Sequence, residues 1–381
     1  MSTLPLKASI NGWNESIRTH SHRFSRRISS ILWLLTKCNT QQALAKYFDN
    51  FLRDMRESRS AVENALLGTK GKRYLQEIFC FDRKRSLVVA EPKQLLALVD
   101  AILGFAGNSF YLDTSDYALC NKMLLKVFDY DAFRDGKVIK CKRESGNVKI
   151  SWGSDNSVEQ WNSAALIRKI GIRYCPYCNA ETIYVVPKED GTESECYRSA
   201  LDHYLPRSRY PFFGLSLYNL IPACTRCNSC YKHEQDPLSL LCGTGVLSKQ
   251  GDVEIYRVAH PYLEDIYSKF SVRFIIKDSK LKLQCKVNGA DRRIATYLED
   301  MFKWSTTYTT LFMPGAKSVV DNIRKIRPMF WGMLDKSFRQ TPRISLSKLI
   351  CGFEFVQDEF MNYRLGKMKM DIFKKYCHKT V

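Results

Sequence analysis

The sequence predicts an α+β protein: a small strand-containing centre pinned by metal, flanked by mainly helical N- and C-terminal regions. Three observations carry that reading. Apolar residues recur at helical spacing through the first part of the chain, two Cys-x-x-C pairs enclose short β-prone stretches, and basic helical segments close the sequence. The implied domains are 1–172, mainly helical; 173–262, the metal-pinned centre; and 263–381, a short strand pair followed by helices.

A chain of 381 residues with 45% hydrophobic and 12% aromatic residues can bury two or three packed units, which excludes a disordered tail or a disulfide-stapled mini-protein. Its first residues lack the basic start and apolar run of a secretory signal, and the most apolar later stretch, Leu95–Gly107, is short and interrupted by Asp100. A soluble, cytoplasmic protein with no membrane partner is expected. In a reducing compartment its 14 cysteines read as thiols or metal ligands. Lysine and arginine total 59 against 39 acidic residues, a formal charge of +20 that attracts polyanions, so nucleic acid is the leading partner.

Helix is expected over Ser29–Leu52, where Ile31, Leu34, Leu35, Ala43, Leu44, Tyr47, Phe48 and Phe51 suit one buried face, and over a second segment opened by Pro92 and ending near Gly107. Lys137–Trp152 reads as a hairpin around Glu144-Ser145-Gly146-Asn147, and Trp161–Ile172 as a helix leading to the first cysteine pair. Ile183–Val186 and Cys196–Leu201 should pair antiparallel across Lys188-Glu189-Asp190-Gly191, followed by an aromatic loop from Leu205 to Tyr218. Beyond His260-Pro261-Tyr262, Phe270–Ile276 and Leu281–Val287 read as a strand pair.

Cys175-Pro-Tyr-Cys178 and Cys224-Thr-Arg-Cys227 are two knuckles, and each can turn both thiolates toward one ion. Together they supply the four sulfurs of a closed tetrahedral zinc site that stabilises the fold and leaves no open position for water. Cys196, Cys230 and Cys242 lack matching spacing and read as buried thiols, with Cys230 an alternative ligand in place of a neighbour, while His233 and His260 read as structural.

Between and after the knuckles lie Asp202-His203, Asn228 and Lys232. Phosphodiester hydrolysis needs a base, a hard cation and ligands to hold it. His203 is the candidate base, and the oxygens of Asp202 and Asn228 suit magnesium or manganese. Arg207, Arg226 and Lys232 are the candidate nucleic-acid contacts.

The order of C-x-x-C, Asp202-His203 in DHYLPRSRYP, Asn219 in NLIPAC, then C-x-x-C-Asn228 and a downstream lysine resembles the HNH nuclease family, in its subgroup with paired zinc knuckles. The resemblance implies a ββα-metal core, with His203 as general base, Asn219 orienting the loop and the base, and Asp202 and Asn228 binding the catalytic ion. This sequence has asparagine where many members have the final histidine, and Lys232 follows Asn228 by one residue more than the commonest spacing. A looser likeness, through His260-Pro261-Tyr262 and Leu365-Gly366-Lys367-Met368, extends to larger bacterial HNH proteins of defence and mobile-element contexts.

Three functions fit these residues. The first is a metal-dependent endonuclease cutting double-stranded DNA, in bacterial defence against phage or foreign DNA. The second is a nuclease subunit released by a partner such as an ATPase or a nucleic-acid sensor. The third is a zinc-stabilised nucleic-acid-binding protein without catalysis.

Overall fold

Recurrent apolar residues every three or four positions make the first described stretch helical. The computed structural model describes residues 13–105, 115–144, 147–154, 161–188, 195–238, 260–263, 266–277, 280–287, 299–333, 347–348, 350–353 and 359–377. Helix α1 (Trp13–His20) passes through a π-helical turn, Ser21–Ser25, into α2 (Arg26–Lys37), which buries Ile28, Ile31, Leu32 and Leu35. The single helix expected over Ser29–Leu52 is two. Cys38 adopts extended backbone (φ −72°, ψ 114°), and the Thr40 side chain accepts a hydrogen bond from the Ala43 N–H at 3.1 Å to start α3 (Gln41–Leu52). A threonine hydroxyl satisfies an orphan N–H of the new helix, which makes a break here inexpensive. The apolar stripe nevertheless crosses the break, with Leu44, Phe48 and Phe51 buried beyond it.

Helices α4 (Arg59–Leu67), α5 (Thr69–Arg85), α6 (Pro92–Phe105), α7 (Ser115–Val127) and α8 (Tyr130–Arg134) follow. Proline opens α6 as expected, whereas Gly107 lies outside the described residues. Asp129 caps α8 by accepting from the Ala132 N–H at 3.1 Å. Strands β1 (Lys137–Glu144) and β2 (Asn147–Ser154) form the anticipated antiparallel hairpin, its Ser145-Gly146 turn outside the described residues. Helix α9 (Ser163–Ile170) falls within the span expected for it.

Strands β3 (Val185–Pro187) and β4 (Glu195–Arg198) pair antiparallel; the connector from Glu189 onward is outside the described residues. The expected strand Cys196–Leu201 is divided at Ser199, because β5 (Ala200–His203) takes a different partner, β6 (Leu220–Ala223). Cys196 and Cys230 are exposed, which corrects their assignment as buried thiols: one sits on a short two-stranded hairpin and the other on the outer side of a single helical turn. Cys242 lies outside the described residues.

Strands β7 (Phe270–Lys277) and β8 (Lys280–Val287) pair antiparallel from Phe270 with Val287 to Lys277 with Lys280. Helices α10 (Trp304–Thr307), α11 (Met313–Met333) and α12 (Gly366–Cys377) follow, and the rings of Phe270 and Trp304 pack at a tilt of 34° with centroids 4.2 Å apart. The helices and strands up to Ile170 form one compact unit together with Val185–Ile221. Gly171–Tyr184 and the described residues from Pro222 onward form the other. The stretch 173–262 therefore contributes to both.

The core of the first unit contains His20, with no exposed surface and its ring beside Phe24 and Phe133. The Trp161 indole N–H donates to its Nδ1 at 2.9 Å, so Nε2 carries the proton and donates to the Leu215 carbonyl at 2.7 Å. Burial lowers its pKa from 6.5 to about 4, the Leu215 bond offsetting only part of the effect. A folded-state pKa below the unfolded one means the unfolded chain binds the proton first, so stability is lost as pH falls from 6.5 towards 4. The difference corresponds to roughly 3 kcal/mol. Asp82, raised by burial to about 6, acts with the opposite sign and is common to wild type and variant. His20→Gln can keep both hydrogen bonds without titrating. Urea unfolding at pH 7.5 and 4.5 should show a smaller loss of stability on acidification in this variant than in the wild type; equal losses would exclude His20 as the source.

Candidate metal centre and nuclease motif

The two knuckles are brought together. The ligand atoms of Cys175, Cys178, Cys224 and Cys227 lie within 4.8 Å of one another, all buried. A tetrahedral zinc ion with Zn–S bonds near 2.3 Å requires sulfur separations of about 3.8 Å. Cys178 and Cys224 Sγ are 3.9 Å apart, so the cluster can hold a metal ion such as zinc. Burial pushes the Cys175 thiol well above its ordinary range, whereas hydrogen bonds from Cys175, Cys224 and Cys227 hold Cys178 well below. Four buried thiols cannot share so small a volume as thiolates without a cation.

Groups remote in sequence fix the first knuckle. Tyr267 Oη donates to the Pro176 carbonyl at 2.7 Å, and Tyr308 Oη donates to the Cys178 carbonyl at 2.7 Å. Burial holds both hydroxyls well above the usual phenol range, so they remain donors. Asn179 takes the left-handed backbone (φ 51°) that asparagine tolerates, and its carbonyl and side chain accept from the N–H groups of Leu365, at 2.6 Å, and Lys367, at 3.1 Å. The Leu365-Gly366-Lys367-Met368 run noticed in the sequence is thus an anchor for the knuckle.

Arg226, inside the second knuckle, forms an ion pair with Glu181 at 2.7 Å. Burial alone would lower its pKa, yet Glu181 and the Cys178, Cys227 and Cys224 sulfurs keep it above the ordinary value. It is thereby a countercharge to the cluster. Asn228 and Lys232 lie on the π-helical turn Arg226–Lys232, which closes with the His233 N–H on the Asn228 carbonyl at 2.7 Å. Asn228 is partly exposed, while Lys232 is only 1% exposed. His233 is exposed, whereas His260 is buried and accepts from the Tyr262 N–H at 3.1 Å.

The other motif residues belong to the first unit. Strand β5 ends at His203, with Asp202 buried and the imidazole half-buried. His203 Nε2 lies 3.0 Å from the Gly214 carbonyl. A carbonyl can only accept, so Nε2 is the donor in this bond. The ring meets the Tyr130 face edge-on at 4.6 Å, and burial raises the Tyr130 hydroxyl to about 12, which keeps it a neutral phenol. Asn219 is fully buried: its Oδ1 accepts from the Leu205 N–H at 2.7 Å, and its Nδ2 donates to the carbonyls of Leu205 at 3.0 Å and Phe213 at 3.1 Å. Arg207 packs over Tyr130 at 5.5 Å and pairs with Asp131 at 3.0 Å, an exposed ion pair that stabilises little and leaves the guanidinium accessible.

That Tyr130 and Asp131, from helix α8, meet His203 and Arg207 was not legible in the sequence, since their separation exceeds any local spacing rule. The two tyrosines on the first knuckle were equally illegible. No protein-family model, curated protein or solved structure matches the chain. Among the described residues, no helix is long and apolar enough to cross a membrane.

Metal analysis of the purified chain should give one zinc per molecule. Cys224→Ser should lose it and destabilise the β7–β8 region by several kcal/mol, since structural zinc sites supply roughly 10–16 kcal/mol of binding energy. The check is hydrogen exchange across Phe270–Val287; protection unchanged in the metal-free variant would show that the knuckles fold without an ion.

Proposed function

We propose that the chain is a metal-dependent endonuclease of HNH type that hydrolyses DNA phosphodiester bonds, with duplex DNA as substrate and bacterial defence against phage or foreign DNA as its setting. The observation that carries this reading is the placement of His203: a half-buried imidazole at the end of β5, with its Nε2 held 3.0 Å from the Gly214 carbonyl, in the position the HNH pattern gives to the general base for an attacking water. Asn219 holds the Leu205 and Phe213 backbone on either side of this arrangement, which supports its role as the residue that orients the loop and the base.

Asp202 and Asn228 offer a carboxylate and a carbonyl oxygen, hard donors that fit magnesium or manganese better than zinc. A cation held by such donors would neutralise the charge that develops on the scissile phosphate. Arg207 supplies an accessible guanidinium suited to bidentate phosphate contact. Arg226 and Lys232, the other two expected nucleic-acid contacts, would have to leave their places within the fold to reach a phosphate.

A second reading has an observation of its own. Lys232 is buried and Arg226 is paired with Glu181, so two of the three expected phosphate contacts are engaged within the fold. That suits a resting form released by a partner, such as an ATPase or a nucleic-acid sensor.

The test is plasmid cleavage in magnesium. His203→Ala should reduce cutting by roughly 10²–10⁴-fold, the usual contribution of a general base, with zinc content and circular dichroism unchanged. Undiminished cutting by this variant would reject the assignment. Cutting by the wild type only after addition of a partner protein would favour the second reading.

A further inference from the structure

The ribbon β7–β8 has two faces of different chemistry. Cross-strand partners share a face, so Phe270, Val272, Phe274 and Ile276 lie with Val287, Cys285, Leu283 and Leu281. This apolar face is buried over much of its length, at Phe270, Val272, Leu283 and Cys285. The opposite face carries Arg273, Lys277, Lys280, Lys282 and Lys286, with Ser271, Ile275 and Gln284 between them and no carboxylate among the described residues of the two strands. Lys277, Lys280 and Lys286 are exposed, and Arg273 is steadied by Gln284, whose Oε1 accepts from Nη2 at 2.7 Å and Nε at 3.0 Å.

Two features set this face apart from an ordinary solvated one. Lys277 and Lys280 stand directly opposite each other, a like-charge pair that opposes hairpin formation. Lysines often guard the edges of small sheets against further pairing, but here other groups already cap edge amides. The Val272 N–H donates to Asp371 at 2.7 Å, and those of Leu283 and Cys285 donate to Thr309 and Ser305 at 2.8 Å. At the far end the apolar face is also open, with Ile276 79% and Leu281 45% exposed. A two-stranded ribbon is narrow enough to enter a DNA major groove, where its lysines meet the flanking phosphates.

We propose that the cationic face of β7–β8 is a nucleic-acid-docking surface that grips the phosphate backbone of duplex DNA, separate from the hydrolytic residues. The choice of DNA as occupant rests on the endonuclease reading and on charge complementarity. The existence of the surface rests on the ribbon alone.

The experiment measures binding without cleavage: fluorescence anisotropy of a labelled duplex with the full chain, no added divalent metal, across a salt series. K277Q/K280Q/K286Q is compared with K317Q/R324Q/K325Q, which removes the same formal charge from exposed positions on α11. Zinc content and circular dichroism matching the wild type verify both folds; neutralising Lys277 and Lys280 removes a repulsion and should not weaken the hairpin. The ribbon variant should lose up to about tenfold in affinity per lysine near 0.1 M salt, and its log–log salt slope should be shallower by up to about 0.9 per lysine. The α11 variant should retain the wild-type slope. Equal losses in both variants, or a wild-type slope in the ribbon variant, overturn the proposal. So does retained DNA binding with lost sedimentation on phosphatidylserine vesicles, which would assign the face to a lipid surface. A wild type that binds duplex through these lysines but cuts under no divalent metal would defeat the endonuclease reading and leave the docking surface standing.

Discussion

Four sulfurs confined within 4.8 Å in a buried volume are the constraint on which the rest of this molecule depends. Each knuckle is local, but the two are separated by a long excursion of chain, and closing that loop costs conformational entropy that a metal ion held by the four sulfurs would offset. The excursion carries Asp202, His203 and Asn219, so the loop bearing the proposed chemistry is fastened at both ends by the same cluster. The cluster is in turn held by residues far along the chain. Tyr267, Tyr308, Leu365 and Lys367 all bond to the first knuckle or the residue after it, tying the C-terminal elements to the thiolates.

A second organising feature is a run of three backbone carbonyls. Phe213 accepts from Asn219, Gly214 from His203, and Leu215 from His20. Asn219 and His20 are also fixed by second hydrogen bonds, to Leu205 and Trp161, so the strap is specified by hydrogen-bond direction as well as by packing. The middle residue has little freedom to vary, because a Cβ at Gly214 would lie 2.8 Å from the Phe128 carbonyl. Helix α8, which begins just beyond Phe128, supplies Tyr130 against the His203 ring and Asp131 to Arg207. The helical N-terminal part of the chain therefore shapes the surroundings of the proposed base.

Helical segments, both long hairpins and the cysteine set were legible because their signals are local: a periodic apolar stripe, a turn between β-prone runs, a short chelating bite. The break at Cys38 was marked by Asn39-Thr40, a capping pair that the continuous apolar stripe obscured. Division of the expected strand at Ser199 was not legible, since β4 and β5 differ only in their partners. Solvent exposure of Cys196 and Cys230 was likewise hidden, because burial depends on what packs over a residue.

By itself the sequence determined the α+β class, the four sulfur ligands, and the candidacy of His203, Asp202, Asn219 and Asn228. Residue type and short spacing are sufficient to define a chelate or to nominate a base. Tertiary structure alone decided the seating of His203 Nε2 on the Gly214 carbonyl, the ion pair of Arg226 with Glu181, the burial of Lys232 and the gathering of five cations on one face of β7–β8. Each of these depends on which groups meet across long separations in the chain, and on how much water is left around them once they do.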